Sequence, residues 1–157
     1  MSESFFSVRT GETELEFRRP KSPESNPRYD GAESKSTLLH EGYKKSRENR
    51  AFSVTTVYEK DVEIPLRDGT VLKGDIFRPA GDERVPAIVP WSPYGKSGRG
   101  LRLDDMPGCM GIPKSGRSGF EKFEGPDPAE WTARGYAVVN IDSRGSWDSQ
   151  GYLWCAN

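Results

Sequence analysis

Polar and apolar residues alternate from Ala51 onward. In SVTTVYEKDVEIPL, β-branched and aromatic residues alternate with polar ones, which is the pattern of a half-buried strand. Asp68-Gly69 interrupts this pattern, and TVLKGDIFRP resumes it directly afterwards. Asp-Gly is a strong hairpin signal because both residues tolerate positive φ. The sequence therefore predicts two antiparallel strands that meet at Asp68-Gly69.

Three further elements follow along the chain. VPAIVPWSP is a continuous apolar run, typical of a strand buried on both faces, although Pro90 near its end favours termination or an edge position. DPAEWTARG places an N-cap candidate at Asp127 before a proline and a C-cap candidate at Gly135, which predicts a short helix. YAVVNID then predicts a second buried strand. A strand, a loop with a helix and a parallel strand indicate an α/β sheet.

Two stretches lack this patterning. Residues 1–50 are charged, polar and rich in proline, and they predict a polar amino-terminal arm that is extended or poorly ordered on its own. Residues 51–157 then form the second unit. Residues 92–124 form a long loop with too many glycines for a stable helix, and long loops inside compact domains are typically functional or disordered. These glycines are Gly95, Gly98, Gly100, Gly108, Gly111, Gly116 and Gly119.

The charge balance excludes several classes of function. Lys and Arg number 23 against 24 Asp and Glu, a net charge of -1, which gives no electrostatic footprint for nucleic acid or for a membrane surface. The first residues lack the basic start and apolar run of a signal peptide, and no segment reaches the ~18 apolar residues of a membrane span. We therefore expect a soluble, cytoplasmic protein without nucleic-acid or membrane partners. Its oligomeric state stays open.

Metal and cofactor chemistry is not indicated either. Cys109 and Cys155 lie far apart and form no CxxC pattern, so we interpret them as ordinary thiols. One histidine and scattered carboxylates offer no metal-ligand spacing. Gly95-Lys96-Ser97 is similar to the end of a P-loop, but Pro90 occupies the position of its first glycine, which argues against phosphate binding. We expect neither a metal nor a cofactor.

Three blocks of residues resemble one family in sequence order. VEIPLRDGTVLKGDIFRP resembles the opening hairpin of the cocaine-esterase/Xaa-Pro dipeptidyl-peptidase group (CocE/NonD, peptidase S15-like) of α/β-hydrolases, with its pattern (M/L)RDG(V/T)xLxxDxxRP. VPAIVPWSPYGK resembles the next strand and its PYxK end. WTARGYAVVNIDSRGSWDSQG matches the pattern ARGYAVVxxDxRGxxxSxG. The order and spacing of the blocks over residues 54–152 make the resemblance specific.

The resemblance implies the amino-terminal part of an α/β-hydrolase sheet, with the antiparallel hairpin followed by parallel strands. It also implies a serine hydrolase that forms an acyl-enzyme from a small ester or peptide substrate. In the family's strand order, 1-2-4-3, the VPAIVPW strand is an open edge when the sheet stops after four strands. We therefore expect this chain, expressed alone, to be insoluble or partly unfolded.

The expected catalytic triad is not found in these residues. The nucleophile of the family lies in a G-x-S-x-G elbow, followed later by Asp and His. The two closest pentapeptides, around Ser118 and Ser149, each lack one glycine, and we interpret both as loop serines. His40, the one histidine, lies in the polar arm and is interpreted as solvated. The sequence therefore predicts a hydrolase fragment, truncated before the nucleophile strand and inactive alone.

The resemblance assigns a role to Tyr94, and the residue types at the end of the next strand indicate a structural loop near it. Tyr94 matches the tyrosine whose hydroxyl donates to the oxyanion, and it follows a predicted parallel strand, where ligands of open α/β sheets gather. Asp142, Arg144 and Gly145 come at the end of the next strand, and we interpret them as fixing a loop near the site through hydrogen bonds and positive φ. Ser146-Trp147 departs from the commoner family pattern, so this loop is expected to be reshaped.

Two other hypotheses are compatible with the residues. The chain could be a non-catalytic interaction protein that retains the half-sheet and binds through the polar arm or the glycine-rich loop. A catalytic site built from Ser118 or Ser149 with His40 is a third hypothesis, and the position of His40 argues against it.

Overall fold

The computed structural model describes residues 5–18, 21–96 and 99–153. Strand is the main secondary structure, and the one α-helix of this described part is short. In chain order the elements are β1 (Phe5–Thr10), β2 (Thr13–Arg18), β3 (Lys35–Leu39), β4 (Thr56–Pro65), β5 (Val71–Pro79), β6 (Ala87–Ile88), α1 (Pro128–Ala133) and β7 (Ala137–Ile141).

Five strands form a mixed sheet in the order β3-β4-β5-β7-β6. β4 and β5 are the predicted antiparallel hairpin, closed by a turn in which the Leu66 N–H donates to the Thr70 carbonyl over 2.8 Å and Gly69 has φ 83°. β6 and β7 are parallel, as predicted, whereas β5 and β7 are antiparallel. The carboxyl ends of β6 and β7 therefore lie at the same end of the sheet.

β6 is shorter and more exposed than its apolar sequence predicts. Only Ala87 and Ile88 pair, and they pair with β7 alone. Val89 is 49% exposed and Trp91 is 62% exposed. The prediction of a strand buried on both faces is wrong here, because β6 is the edge strand of the described sheet and prolines flank it. Its edge position agrees with the strand order that the family resemblance implies.

Residues 1–50 contribute strands as well as loops. β1 and β2 form a separate two-stranded antiparallel sheet. β3 extends the main sheet by pairing antiparallel with β4, and its last residue, Leu39, is buried. A 3-10 helix covers Pro23–Ser25. The division into an arm of residues 1–50 and a domain of residues 51–157 stays a prediction.

Aromatic side chains fill the core on one face of the sheet. Phe77 of β5 stacks on Tyr58 of β4 with ring centroids 4.4 Å apart, and Phe120 packs 5.4 Å from Phe77. Phe52 contacts Phe120 at 5.9 Å. Since Phe120 belongs to the glycine-rich loop, burial of its ring fixes one end of that loop against the sheet.

The helix begins and ends as its sequence predicts. The Asp127 carboxylate accepts hydrogen bonds from the backbone N–H groups of Ala129 and Glu130, at 2.9 and 3.3 Å, and Pro128 follows the cap. Gly135, with φ 79°, takes the left-handed position after the last turn. Residues 92–124 form no α-helix where they are described, and contain short 3-10 helices at Leu103–Asp105, Pro107–Gly111 and Lys114–Gly116.

Candidate functional site

Tyr94 lies in a turn just beyond β6, at the sheet end where β6 and β7 terminate. Its ring meets the buried Phe123 edge to face, with centroids 5.0 Å apart. Within the part of the chain that the structure describes, its hydroxyl has no hydrogen-bond partner. The ring is therefore held in place by packing while the hydroxyl stays available as a donor.

Two consecutive residues after β7 bind the backbone on both sides of Tyr94. The Asp142 carboxylate accepts a hydrogen bond from the Lys96 N–H over 2.6 Å. The Ser143 hydroxyl donates to the Ser92 carbonyl over 2.9 Å. The end of β7 thus holds the Ser92 and Lys96 ends of the segment that carries Tyr94.

Lys96 is buried between two carboxylates. Its ammonium group lies 2.5 Å from Asp61 Oδ1 and 2.5 Å from Asp75 Oδ1, and these three side chains are almost completely inaccessible to solvent. Asp75 Oδ1 also accepts a hydrogen bond from the Asp61 N–H over 3.1 Å. Burying a charge is costly unless it is paired, and this arrangement pairs the ammonium with two carboxylates.

A β-bulge puts Asp61 into this cluster. The register between β4 and β5 shifts between Glu59 and Val62, and Asp61 within the bulge has φ 54° and is completely buried. Bulges re-aim side chains, and a non-glycine residue with positive φ needs support from its surroundings. The ion pair with Lys96 supplies that support.

Arg99 connects three distant segments around the same cluster. Its guanidinium binds Asp30 at 2.9 Å, Asp148 at 2.7 Å and Asp61 at 3.2 Å, and it also donates to the Gly31 carbonyl. Burial alone would lower the pKa of Arg99, but Asp61 and Asp30 outweigh that effect and raise it. The guanidinium therefore stays charged in a largely buried position.

Asp142 is a buried carboxyl with a raised pKa. Burial raises its pKa from 3.8 to about 7, although the hydrogen bond from Lys96 N and the charges of Lys96 and Arg99 act in the opposite direction. Its Oδ2 atom is buried and has no hydrogen-bond partner in the described chain. Desolvation therefore dominates, and near neutral pH the carboxyl exchanges between its protonated and ionised forms.

A second buried lysine joins the ends of the parallel strands. The Lys122 ammonium donates to the Ile141 carbonyl over 2.8 Å and to the Pro90 carbonyl over 3.3 Å. Burial lowers the pKa of Lys122, while the nearby Asp142 opposes the shift. Lys122 thus connects the chain beyond β6 to the last residue of β7, and its neighbour in sequence, Phe123, packs on Tyr94.

The turn also meets Trp147, the residue at which the loop departs from the family pattern. A Cβ built on Gly95 would lie 2.5 Å from Trp147 Nε1, so the indole packs directly against the Gly95 backbone. Trp147 itself has φ 51° and stacks on Tyr29 with centroids 6.4 Å apart. The hydrogen bond from the Tyr29 hydroxyl to Asp148 raises the pKa of Tyr29 to about 12. Tyr29 is therefore neutral at physiological pH.

Arg144 and Gly145 lie on the far side of this loop. Arg144 donates to the Thr70 hydroxyl over 2.7 Å and pairs with Asp68 at 2.8 Å, which joins the loop to the β4–β5 hairpin. Gly145 has φ 68°, and its N–H donates to the Gln150 carbonyl over 3.0 Å. The structure thus brings Asp142 to the Tyr94 turn and leaves Arg144 at the hairpin.

The remaining candidates serve as structural groups or lie apart. The Ser118 hydroxyl accepts from the Phe120 N–H, and the Ser149 hydroxyl donates to the Asp142 carbonyl over 2.8 Å. His40 is exposed and follows β3. Cys109 is a half-buried free thiol. Ser97 of the tripeptide similar to a P-loop and the second cysteine, Cys155, lie outside the described residues.

Neither metal-binding clusters nor membrane spans are found in the described ranges. No three His, Cys, Asp or Glu side chains are grouped there as metal ligands. None of the helices there has the length and apolar character needed to cross a bilayer.

Comparisons with known proteins identify the family of this chain. Residues 68–156, more than half of the chain, match the family model described as X-Pro dipeptidyl-peptidase (S15 family). The chain belongs to this family, as its three sequence blocks predict.

Solved structures give the relatives in more detail. Two crystal structures of a CocE/NonD family hydrolase from Staphylococcus aureus are similar to this chain, each with 34% sequence identity over 60% of the chain and a TM-score of 0.48. The matched region makes up 16% and 17% of those two chains, so the present chain spans about one sixth of their length. A comparison with curated protein sequences finds no match.

Proposed function

We propose that this chain forms the amino-terminal part of the α/β-hydrolase sheet of an S15-type enzyme that cleaves ester or peptide bonds through an acyl-serine intermediate. The nucleophile, acid and base are supplied by residues outside this 157-residue chain, because it contains no G-x-S-x-G elbow and its His40 lies in the arm. The contribution of this chain is one hydrogen-bond donor to the transition state.

Tyr94 carries the proposal. Its place beyond β6, beside the end of the parallel strand β7, is where open α/β sheets bind ligands. When serine attacks a carbonyl, the oxygen becomes negatively charged, and the Tyr94 hydroxyl donates a hydrogen bond to it. A donor fixed in advance at this position lowers the barrier by about 2.7 to 4 kcal/mol, since it need not reorganise as the charge develops. Packing of the ring on Phe123 provides that fixation.

The test uses the complete polypeptide translated from the gene that encodes this chain. A p-nitrophenyl ester and an Xaa-Pro p-nitroanilide distinguish esterase from dipeptidyl-peptidase activity, and a fluorophosphonate probe labels an activated serine. We expect Tyr94→Phe to lower kcat about 100- to 1,000-fold with little change in KM, because the lost interaction is made in the transition state.

Tyr136→Phe is the matched control, since it removes the same hydroxyl from a ring that packs on Trp131. It should leave kcat unchanged. Parental kcat in Tyr94→Phe, with fluorophosphonate labelling retained, would show that Tyr94 is not the oxyanion donor. A complete polypeptide that neither labels nor hydrolyses would contradict the hydrolase itself.

The open side of β6 favours a second candidate, a non-catalytic protein that binds a partner strand through the half-sheet. In the described sheet β6 pairs with β7 alone, and exposed edges are templates for strand addition. A stable 157-residue product in cells, with no fluorophosphonate labelling, would favour this candidate over the hydrolase.

A further inference from the structure

The ends of the Tyr94 turn are fixed by groups that precede and follow it in sequence. Lys96 is held from one side by Asp61 and Asp75, both in contact with its ammonium at 2.5 Å. From the other side, Asp142 accepts the Lys96 N–H at 2.6 Å. Lys96, two positions after Tyr94, is therefore bound both through its side chain and through its backbone.

The three sequence blocks of the family meet at this point. Asp75 belongs to the first block, Lys96 to the second and Asp142 to the third. Asp75 lies on β5, and Asp142 comes directly after the neighbouring strand β7. Lys96 is the one of the three that belongs to the Tyr94 segment.

Asp142 acts on the Tyr94 turn and not on its own loop. Its carbonyl, and not its carboxylate, binds the following loop through the Ser149 hydroxyl. Its carboxylate Oδ1 is used by Lys96 N, while its Oδ2 is buried without a partner among the described residues. A carboxyl group that is buried with one oxygen unsatisfied costs stability, and its one described hydrogen bond is to the segment that bears Tyr94.

We propose that Asp142 is a positioning residue for the oxyanion donor: its carboxyl group holds the Lys96 N–H, and through it the turn that sets the Tyr94 hydroxyl. This inference rests on the proposed function of Tyr94. Asp142 itself touches no reacting atom. Because oxyanion stabilisation depends on where the donor lies, a shift of about 1 Å in the turn reduces catalysis by up to ~100-fold.

Four variants of the complete polypeptide test the proposal. Asp142→Ala removes the acceptor and should lower kcat about 10- to 100-fold. Asp142→Asn keeps an oxygen acceptor for the Lys96 N–H and should retain kcat within about threefold. Tyr94→Phe combined with Asp142→Ala should be no slower than Tyr94→Phe alone, because the two residues act through one hydroxyl. Asp127→Ala is the fourth.

Asp127→Ala controls for a purely structural loss. It removes the helix cap at Ala129 and Glu130, which costs about 1 kcal/mol of stability, and also the acceptor of the Ser118 N–H, but no hydrogen bond of residues 92–96. Any effect of Asp127→Ala on kcat should multiply with that of Tyr94→Phe. A multiplying effect of Asp142→Ala would overturn the positioning role.

Hydrogen exchange gives a readout that does not require activity. Asp142→Ala should speed exchange of the backbone amides of residues 94–96 at least tenfold, whereas Asp142→Asn and Asp127→Ala should leave them unchanged. Unchanged exchange in Asp142→Ala would overturn the proposal. If the complete polypeptide hydrolyses nothing, the proposed function fails, and the exchange rates still decide whether Asp142 holds the turn.

Discussion

Gly100 leaves no space for a side chain beside the Tyr94 turn. A Cβ built on Gly100 would lie 1.7 Å from the Tyr94 carbonyl oxygen and 2.7 Å from its carbonyl carbon. The returning chain therefore crosses directly over the backbone of Tyr94. Since both of these Tyr94 atoms belong to the backbone, a side chain at position 100 displaces the turn itself.

We expect Gly100→Ala to lower kcat of the complete polypeptide about 10- to 100-fold by displacing Tyr94. Gly116→Ala is the matched control in the same loop, because the nearest atom to its added Cβ is 3.6 Å away. The measurement is kcat and KM for a p-nitrophenyl ester. Equal kcat values for the two variants would contradict a close approach at Gly100.

For individual residues, the sequence predicts the oxyanion donor but not the buried charges around its turn. The PYxK block identifies Tyr94 by resemblance, and DPAEWTARG identifies the Asp127 cap. No sequence signal marks Asp61, because the bulge that turns its side chain inward arises from a register shift between β4 and β5. Arg99 is equally hidden, since its partners Asp30 and Asp148 lie 69 and 49 residues away.

The elements follow the sequence patterns closely where neighbours are local. The hairpin, α1 and β7 are confirmed because turn residues, caps and alternation are properties of short segments. β6 differs because its burial depends on how many strands flank it, which its own apolar and proline residues do not encode. β3 was not predicted either, since the polar residues of this edge strand, Lys35–Leu39, resemble the rest of the polar arm.

We expect the 157-residue chain to self-associate through β6, because this edge is apolar and open. Val89→Lys, directly after β6, should shift the chain toward monomer, as a charge on an edge disfavours strand pairing. Ile112→Lys introduces the same charge at a loop residue of similar exposure, 43% against 49%, and should not change association. Light scattering during size-exclusion chromatography measures both. A monomeric parent at tens of micromolar would contradict this expectation.

Across the whole molecule, ion pairs connect segments that share no strand pairing. Asp30 binds Lys60 of β4 at 2.7 Å and Arg99 of the glycine-rich loop. Arg28 adds a bond from the same stretch to Asp105 at 2.5 Å. The stretch around residues 28–31 is thereby fixed by ion pairs and by the contacts of Tyr29 with Trp147 and Asp148, which explains why its composition resembles that of a solvated arm.

The raised pKa of Asp142 predicts how stability depends on pH. Its carboxyl binds a proton more tightly when folded, so this stabilisation is complete below pH 3.8 and is lost as pH rises to about 7. The loss amounts to at most roughly 4 kcal/mol, a net value in which burial and Asp75 raise the pKa while Lys96 and Arg99 lower it. Asp68 and Asp105, whose pKa values are lowered to about 2 by arginine partners, titrate below this range.

Urea unfolding between pH 4.5 and 8 tests this on the Val89→Lys chain with and without Asp142→Asn. The parent should lose stability relative to the Asn variant as pH rises to 7, and the difference should then stay constant. Because asparagine does not titrate, a difference that is flat across the range would show that Asp142 does not titrate near neutrality.

The order of the buried ion pair along the chain has a consequence for synthesis on the ribosome. Asp61 and Asp75 leave the exit tunnel before Lys96, their shared cation. Until it emerges, Asp61 has Lys60 beside it at 3.6 Å but Asp75 lacks its ammonium partner, so burying both carboxylates is costly at neutral pH. The inner end of the hairpin therefore stays hydrated during early translation. Lys96 arrives together with Tyr94, so the two carboxylates gain their cation as the turn is made, and Asp142, 46 residues later, then holds the backbone of that turn.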